Sequence, residues 1–541
     1  MIKKTTLLAA AAVIATAATA RSQTPPAELR LTVEDAVKRA VEHNPDLAIV
    51  RLDSDVEIAR VGQARSAYTP MFATVLGRSN GTAPPTNLLL GTNGVATGDL
   101  FSSTGVRQRV PWGNGTWSAS WDASRTTTNS PFSSFDPSLQ SAFQVAFSQP
   151  LVRDRKMDQA RQQYVIAKRN QASSELQFRE SVVQTVAAVK QAYWTLKALR
   201  ANVIVQERSL ELAEQLAKEN SVRVRVGQSP PLDLVQVETE VAARRENLIR
   251  ARAAADDSED RLRRLIMDPA DSSFWRIRLD TVDDPAGHLP LPDVEAVVAE
   301  AMNGRYDLSR ARNDVDNAAT NVEFYANQRL PDVRLETSYR GTGLGGSQLL
   351  RTGTFPGTVV GTANSGFGGV LGQTFGTDYP AWSLGVTVSY PLGRSYEDVS
   401  KVKAEVERRQ ASARVASLQL DVAASLRQAG RQVRSTAERE DAARAGATLA
   451  QQRLDAEQRR YDVGLSTSFL VTQAQRDLLQ AQVNFLQATL DYQSSLVNFE
   501  ALQLAPAAGS SGAVAVSGSS VVALPPQSPN GIFRLVAGSQ P

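Results

Sequence analysis

Two kinds of segment alternate along this chain, and the alternation occurs twice. Residues 31–67, 151–265, 293–329 and 396–503 are rich in Ala, Gln, Glu, Arg and Leu and almost without Pro or Gly, which predicts long helices. Residues 70–150 and 331–394 are rich in Gly, Ser, Thr, Asn and aromatics, which predicts strands and loops. Asn44-Pro45-Asp46-Leu47 has a counterpart in Arg305-Tyr306-Asp307-Leu308, and Tyr68-Thr69-Pro70 in Arg329-Leu330-Pro331. Ser148-Gln149-Pro150-Leu151 recurs as Ser389-Tyr390-Pro391-Leu392, and Arg225-Val226-Gly227 as Asp462-Val463-Gly464. Four landmarks in one order predict an internal duplication of helix, strand block, long helix, turn and long helix. The expected divisions are a signal over 1–20, a first repeat over 21–290, a second over 291–504, and a flexible Ala/Gly/Ser/Pro-rich tail over 505–541.

The helical segments carry a heptad. Val471, Leu478, Phe485, Tyr492 and Phe499 fall seven apart, and Ala474, Ala481, Ala488 and Ser495 stand three residues after the first four. Leu234, Val241, Leu248, Ala255 and Leu262 keep the same phase in the first half. A seven-residue apolar period means left-handed coiled-coil packing, and small residues at alternate seam positions let helices approach closely. At ~1.5 Å per residue, a continuous helix from Leu151 to Val226 would be on the order of 110 Å long. On heptads alone, a soluble filament-like coil would serve equally well.

The strand blocks argue against the filament. Trp117 and Trp121 share a face with Ala119 and Ala123, while Ser118, Ser120 and Asp122 share the other. Phe143, Val145 and Phe147 alternate with Gln144, Ala146 and Ser148. Val333, Leu335, Thr337 and Tyr339 alternate with Arg334, Glu336, Ser338 and Arg340, and Trp382 to Tyr390 alternates likewise. Apolar-out, polar-in strands with interfacial aromatics fit a membrane barrel. An ordinary sandwich also alternates, but here the opposite face is small or charged, and four of the six Trp lie in these blocks. The Gly-rich stretch Gly341 to Gly376 is expected to be a long extracellular loop.

Export is expected too. Met1-Ile2-Lys3-Lys4 is a positive n-region, Leu7 to Ala18 an apolar stretch too short to span a bilayer, and Ala18-Thr19-Ala20 an A-x-A cleavage site, so the mature chain would begin at Arg21. An uncleaved anchor is the alternative. No later run reaches the ~18–20 apolar residues of a transmembrane helix, so entry into a membrane would have to be by strands. Without the first 20 residues, 57 basic side chains face 56 acidic ones, which offers no case for nucleic acid. The chain has no Cys, which rules out disulfides, a catalytic thiol and a lipidated N-terminal cysteine. Only His43 and His288 could serve a His-based metal or hydrolytic centre, and Met is scarce, so neither a cofactor nor a metal is expected.

Arg460-Tyr461-Asp462-Val463-Gly464-Leu465-Ser466, followed by Leu470-Val471-Thr472-Gln473-Ala474-Gln475 and the heptad helix, resembles the TolC-type outer-membrane efflux proteins. The likeness runs from Leu31 to about Leu504. It implies an α+β membrane protein in the outer membrane: long antiparallel coiled-coil helices forming a periplasmic α-barrel, plus a trimeric transmembrane β-barrel, the whole internally duplicated. It implies a homotrimer in which each chain gives four strands, two per repeat, to a shared twelve-stranded barrel. Oligomerisation also follows from physics, since a few strands cannot close a barrel and open edges are not tolerated in lipid. The first block, Pro70 to Pro150, is long for two strands, and an extra hairpin around Pro111-Trp112-Gly113-Asn114-Gly115 puts the strand count in doubt.

Each Val-Gly sits between two helical runs, where Gly can take the left-handed conformation that stops a helix. By family likeness, Val226, Gly227, Gln228 and Ser229, and Val463, Gly464, Leu465 and Ser466, form periplasmic turns that meet a pump's adaptor; a plain structural hairpin is the alternative. Six and nine residues after each glycine stand Asp233 and Gln236, and Leu470 and Gln473, the expected positions of the periplasmic gate. The double acidic ring frequent in the family is absent from the second repeat. Leu470 is a candidate hydrophobic collar that gates by dewetting, with ordinary helix packing as its alternative. Asp233 would place like charges near the axis, or is simply solvated.

These readings point to a passive trimeric exit duct, not an enzyme, with a periplasmic adaptor, an inner-membrane transporter and outer-membrane lipid as partners, in a tripartite efflux pump or a type I secretion system. A secreted or surface coiled-coil adhesin is the alternative, though it leaves the strand pattern and the duplication unexplained.

Overall fold

The computed structural model describes residues 28–84, 94–228, 230–268, 270–285, 287, 293–354, 357–376 and 378–507. The expected signal, nearly all of the tail, Ser229 and His288 lie outside them. In chain order the elements are β1 (Glu28–Leu31), α1 (Val33–His43), α2 (Pro45–Arg65), β2 (Met71–Ala83), β3 (Val95–Arg109), β4 (Thr116–Thr128), β5 (Phe135–Pro150), α3 (Gln159–Arg225), α4 (Pro231–Ile266), β6 (Arg278–Thr281), α5 (Val294–Gly304), α6 (Tyr306–Gln328), β7 (Asp332–Thr352), β8 (Thr358–Ser365), α7 (Phe367–Phe375), β9 (Pro380–Ser389), α8 (Tyr396–Asp462) and α9 (Ser468–Leu502). All four long helical runs expected from composition are therefore helical, α3 and α8 each for 67 residues. Among the described residues no helix is long and apolar enough to cross a membrane.

The chain forms two compact units, and each draws on both halves of the sequence. The first takes the described residues of 1–45, 185–290 and 432–497. Its core joins Leu31, Ala36, Ala40, Val189, Tyr193, Leu196, Leu262, Ile266, Phe274 and Leu279. Here β1 pairs in parallel with β6, a two-stranded sheet that the sequence pattern did not announce. The buried Tyr193 hydroxyl donates to the Leu31 carbonyl at 3.0 Å and accepts from the Asp283 amide at 3.1 Å. Burial pushes that phenol up to about 12, so it stays a donor across the physiological range. A second cluster packs Leu216, Val237, Leu454, Tyr461, Val471, Ala474 and Leu478, members of the expected seam among them.

The second unit takes the described residues of 46–184, 291–431 and 498–541 and contains the large sheet. Its order is β2-β3-β4-β5-β7-β8, with β9 also paired to β7, and every ladder is antiparallel. The lower part of β7 pairs with β9 and its upper part with β8, so six strands lie abreast at the level of β9. This corrects the expectation of four strands, two per repeat. The first block holds two hairpins, and the second of its turns, over 110–115, falls where Pro111 to Gly115 suggested it. The Gly341 to Gly376 stretch is not a loop either: β7 runs on to Thr352, and β8 and α7 follow.

Directly opposed residues of an antiparallel ladder share a face. Phe72, Val106, Ala119, Val145, Tyr339 and Trp382 form one continuous row across all six strands. Ala73, Gly105, Ser120, Gln144, Arg340 and Ala381 form the neighbouring row on the opposite face. In these rows one face is thus apolar and the other small or polar. On the apolar face α7 lies against Gly341, Gly343 and Gly345, where Val370 and Thr374 are buried. A Cβ at Gly343 would stand 2.1 Å from the Val370 carbonyl oxygen, so this approach requires glycine.

Candidate functional site

Both helical turns of the first unit close in the same way. At the end of α3, Gly227 has φ +79°, its amide donates to the Val224 carbonyl, and the Gln228 amide reaches back to Arg223. At the end of α8, Gly464 has φ +78°, its amide donates to Tyr461, and the Leu465 amide reaches back to Arg460. This pair of bonds is the Schellman motif, which satisfies the last carbonyls of a helix and needs a left-handed residue at one position. The two ends also touch. Arg223 lies 4.1 Å from the centroid of the Tyr461 ring, and the Tyr461 hydroxyl donates to Asn220 Oδ1 at 3.1 Å. Burial raises the Tyr461 phenol, so it remains a neutral donor.

Around these turns the side chains project outward. Val226, Val463 and Leu465 are exposed, as are Leu232 and Val235 near the start of α4 and Phe469 at the start of α9. Gln228 is exposed, while Ser466 is half-buried and donates to the Glu457 carboxylate. Such a cluster of large apolar groups at two adjacent helix ends is costly in water unless another surface covers it.

The four positions expected at a gate fall in the first two turns of α4 and α9. Leu470 is 44% exposed, whereas its neighbours Val471 and Ala474 are fully buried in the seam. Leu470 therefore lies outside the buried seam of its own chain. Gln473 donates to Asp477 Oδ1 at 2.9 Å along its own helix. Asp233 is half-buried, and Gln236 is exposed.

A buried ionic network in the seam was missed by pattern reading. Arg244, 1% exposed, donates to Glu240 Oε1 at 3.0 Å and to the Ser209 hydroxyl at 2.6 Å and carbonyl at 3.1 Å. Arg476 of α9 donates to the other Glu240 oxygen through Nε at 3.0 Å and also through Nη2. Glu240 thereby ties α3, α4 and α9 together. Burial alone would raise its carboxyl, but the hydrogen bonds and charges of Arg476 and Arg244 outweigh it and hold the group below the ordinary carboxylate value. The signal was present: Val237, Arg244, Ala251 and Ser258 fall seven apart, three residues after the apolar row of the first repeat.

In the second unit the polar face of the sheet forms its own lining. Ser103 donates to Asp122, and Arg107, Ser118, Gln144, Glu336 and Ser383 border the same concavity. These side chains are hydroxyls, amides and charged groups on one face of the sheet.

The first unit thus offers paired helices with twin capped turns, and the second a two-faced antiparallel sheet. The model of the family described as outer membrane efflux protein matches residues 108–266 and 297–503, more than half of the chain, and the chain belongs to that family. Among solved structures, the CmeC outer membrane channel of Campylobacter jejuni is similar, with a TM-score of 0.63 at 14% identity over 87% of this chain and 85% of that one. The outer membrane protein VceC of Vibrio cholerae gives 0.61 at 15% identity over 87% and 96%. A membrane protein from Pseudomonas aeruginosa gives 0.61 at 15% over 87% and 92%. No curated protein matches the chain.

Proposed function

We propose that the chain is the passive exit duct of a tripartite efflux pump or type I secretion system, working as a homotrimer. Three copies join their sheets into one closed barrel, apolar face to outer-membrane lipid and polar face to the lumen. Their helices form the periplasmic tunnel. The single observation that carries this reading is the continuous apolar row across six strands, backed by a continuous row of small or polar residues on the other face. A sheet buried in one domain core has no use for a wet inner wall of that width. The turns at Gly227 and Gly464 are the docking surface for the periplasmic adaptor, whose apolar groups would cover Val226, Val463, Leu465 and Phe469. Leu470 and Asp233, with Gln236 and Gln473 beside them, narrow the tunnel entrance, which the adaptor and inner-membrane transporter open.

The test is the state of the purified chain. Extracted from outer membranes in mild detergent, it should run as a trimer that converts to monomer only on heating. A monomer recovered from the soluble periplasm would end this reading and favour a secreted coil.

A further inference from the structure

We infer that the outer edge of β9 in one copy pairs with the outer edge of β2 in the next, so that three copies close an eighteen-stranded wall rather than a twelve-stranded one. This rests on the trimeric channel reading and specifies its barrel.

The argument begins with the edges. Among the described residues β2 has β3 as its only strand neighbour, and β9 has only β7. Each edge therefore presents a row of unpaired backbone groups, which in hydrocarbon costs several kcal/mol per group. Six strands abreast cannot close on themselves, since the smallest membrane barrels use eight. The edges carry few of the devices that natural proteins use to keep an open edge from pairing, Arg78 being the one charged side chain of β2. The β2–β3 ladder has thirteen consecutive partners and the β7–β9 ladder ten, both without a register shift. Within β9 no side chain is charged, and its one proline stands first, where the strand begins.

Direction fits as well. In an antiparallel sheet of six, the first and last strands run oppositely, so β9 meets the next copy's β2 in antiparallel sense with no reversal of either chain. The side chains match in kind. Phe72 and Leu76 on β2 and Leu384, Val386 and Val388 on β9 are exposed apolar groups of the same face. The β2–β3 hairpin continues the same sheet, because the Phe72–Val106–Ala119–Val145–Tyr339–Trp382 row crosses it unbroken. At the level of this row all six strands therefore share one environment on each face, and α7 covers the apolar face only from Gly341 upward.

The consequence is a wide lumen. With strands ~4.8 Å apart and tilted by about 40°, eighteen strands enclose a backbone diameter of roughly 36 Å, against roughly 24 Å for twelve. The barrel is then a porin-sized conduit, and the limiting aperture for bulky cargo lies elsewhere in the duct.

The absence of cysteine from the chain makes the seam directly testable. Single cysteines at Phe72, Thr74 or Leu76 are combined in turn with single cysteines at Leu384, Val386 or Val388, and full-length trimers in outer membranes are oxidised. A disulfide needs Cβ atoms about 4 Å apart, so only the true register links. The expected result is covalent trimer on denaturing, non-reducing gels from at least one β2–β9 pair, and none when Ala119→Cys or Ala123→Cys of β4 replaces the β2 cysteine. Covalent trimer from the β4 combinations instead would place β2 and β3 outside the wall and overturn eighteen strands in favour of twelve. Covalent dimer as the largest species would mean a two-copy ring and overturn it equally. A native trimer that gives no link from any combination would overturn the β2–β9 seam while leaving the trimeric duct standing. A soluble monomer would remove the duct itself.

Discussion

Replacing Gly464 isolates the cost of one backbone conformation. Its φ of +78° belongs to the left-handed region, and a Cβ built there meets nothing within 4 Å. Packing therefore adds no penalty, and the backbone strain stands alone. An L-residue in that region costs roughly 1–2 kcal/mol, and Asn least because its side chain bonds locally. The expected order of damage is Asn, then Ala at about 1 kcal/mol, then Val at about 2 kcal/mol or slightly more, since its branch restricts the side chain further. Hydrogen exchange at Gly464 and Leu465 reads this directly, because their amides close the turn onto Tyr461 and Arg460. At about 1.4 kcal/mol per tenfold, Val should speed exchange there by roughly 30-fold and Ala by roughly fivefold. Adaptor affinity, measured by surface-bound capture of the detergent-solubilised trimer, should weaken in the same order, and the trimer itself should persist. Equal damage from Ala, Asn and Val would refute the conformational argument. Loss of folded trimer without selective loss of adaptor binding would show the turn to be structural only.

Other outcomes follow from the same geometry. Leu470→Ser should wet the entrance and raise single-channel conductance with little change in melting temperature, and Asp233→Asn should lower cation preference; a lower Leu470→Ser melting temperature at unchanged conductance would move Leu470 into a helix seam between copies. Glu240→Gln should destabilise the seam by about 3 kcal/mol, the low end for a broken buried pair, because Arg244 keeps Ser209 and Arg476 is over half exposed. Because the Glu240 carboxyl is held below its ordinary value of 4.5, its contribution is present above that pH and lost as pH falls below it. Exchange near Ser209 and Glu240, corrected for the intrinsic rate, should then rise in acid for the parent chain and stay flat for Glu240→Gln. Gly343→Val should push α7 off β7 and destabilise by roughly 1–3 kcal/mol, and protease nicking near Gly376 reports it.

Much of this molecule is legible in its sequence. Long helices were legible because Ala, Glu, Gln and Arg at a heptad period admit little else. Both turns were legible because glycine between two such runs has one common use, and Gly227 and Gly464 close their turns with the same two hydrogen bonds. Strand faces were legible from strict alternation, as Trp117 to Ala123 and Val333 to Tyr339 illustrate. Strand number was legible only as a doubt, raised by the turn at Pro111 to Gly115 in the long first block, and the Gly-rich upper half of β7 reads locally as loop. Its Gly341, Gly343 and Gly345 make sense only once α7 is seen against them. The parallel pair β1–β6 joins segments some 250 residues apart, a distance over which single-sequence patterns carry no information. Glu240, Arg244 and Arg476 escaped because charges on a helix are ordinarily solvated, and only tertiary packing shows three of them sharing one seam.

The account stands most directly on whether this chain conducts. Purified trimer should be added to a planar lipid bilayer, and the current recorded in symmetrical salt with the parent chain and Leu470→Ser compared side by side. The account predicts discrete unitary steps for the parent, small because the entrance is closed, and larger steps of the same cation preference for Leu470→Ser. Inserted, heat-modifiable trimer that carries no unitary current in either form would contradict it.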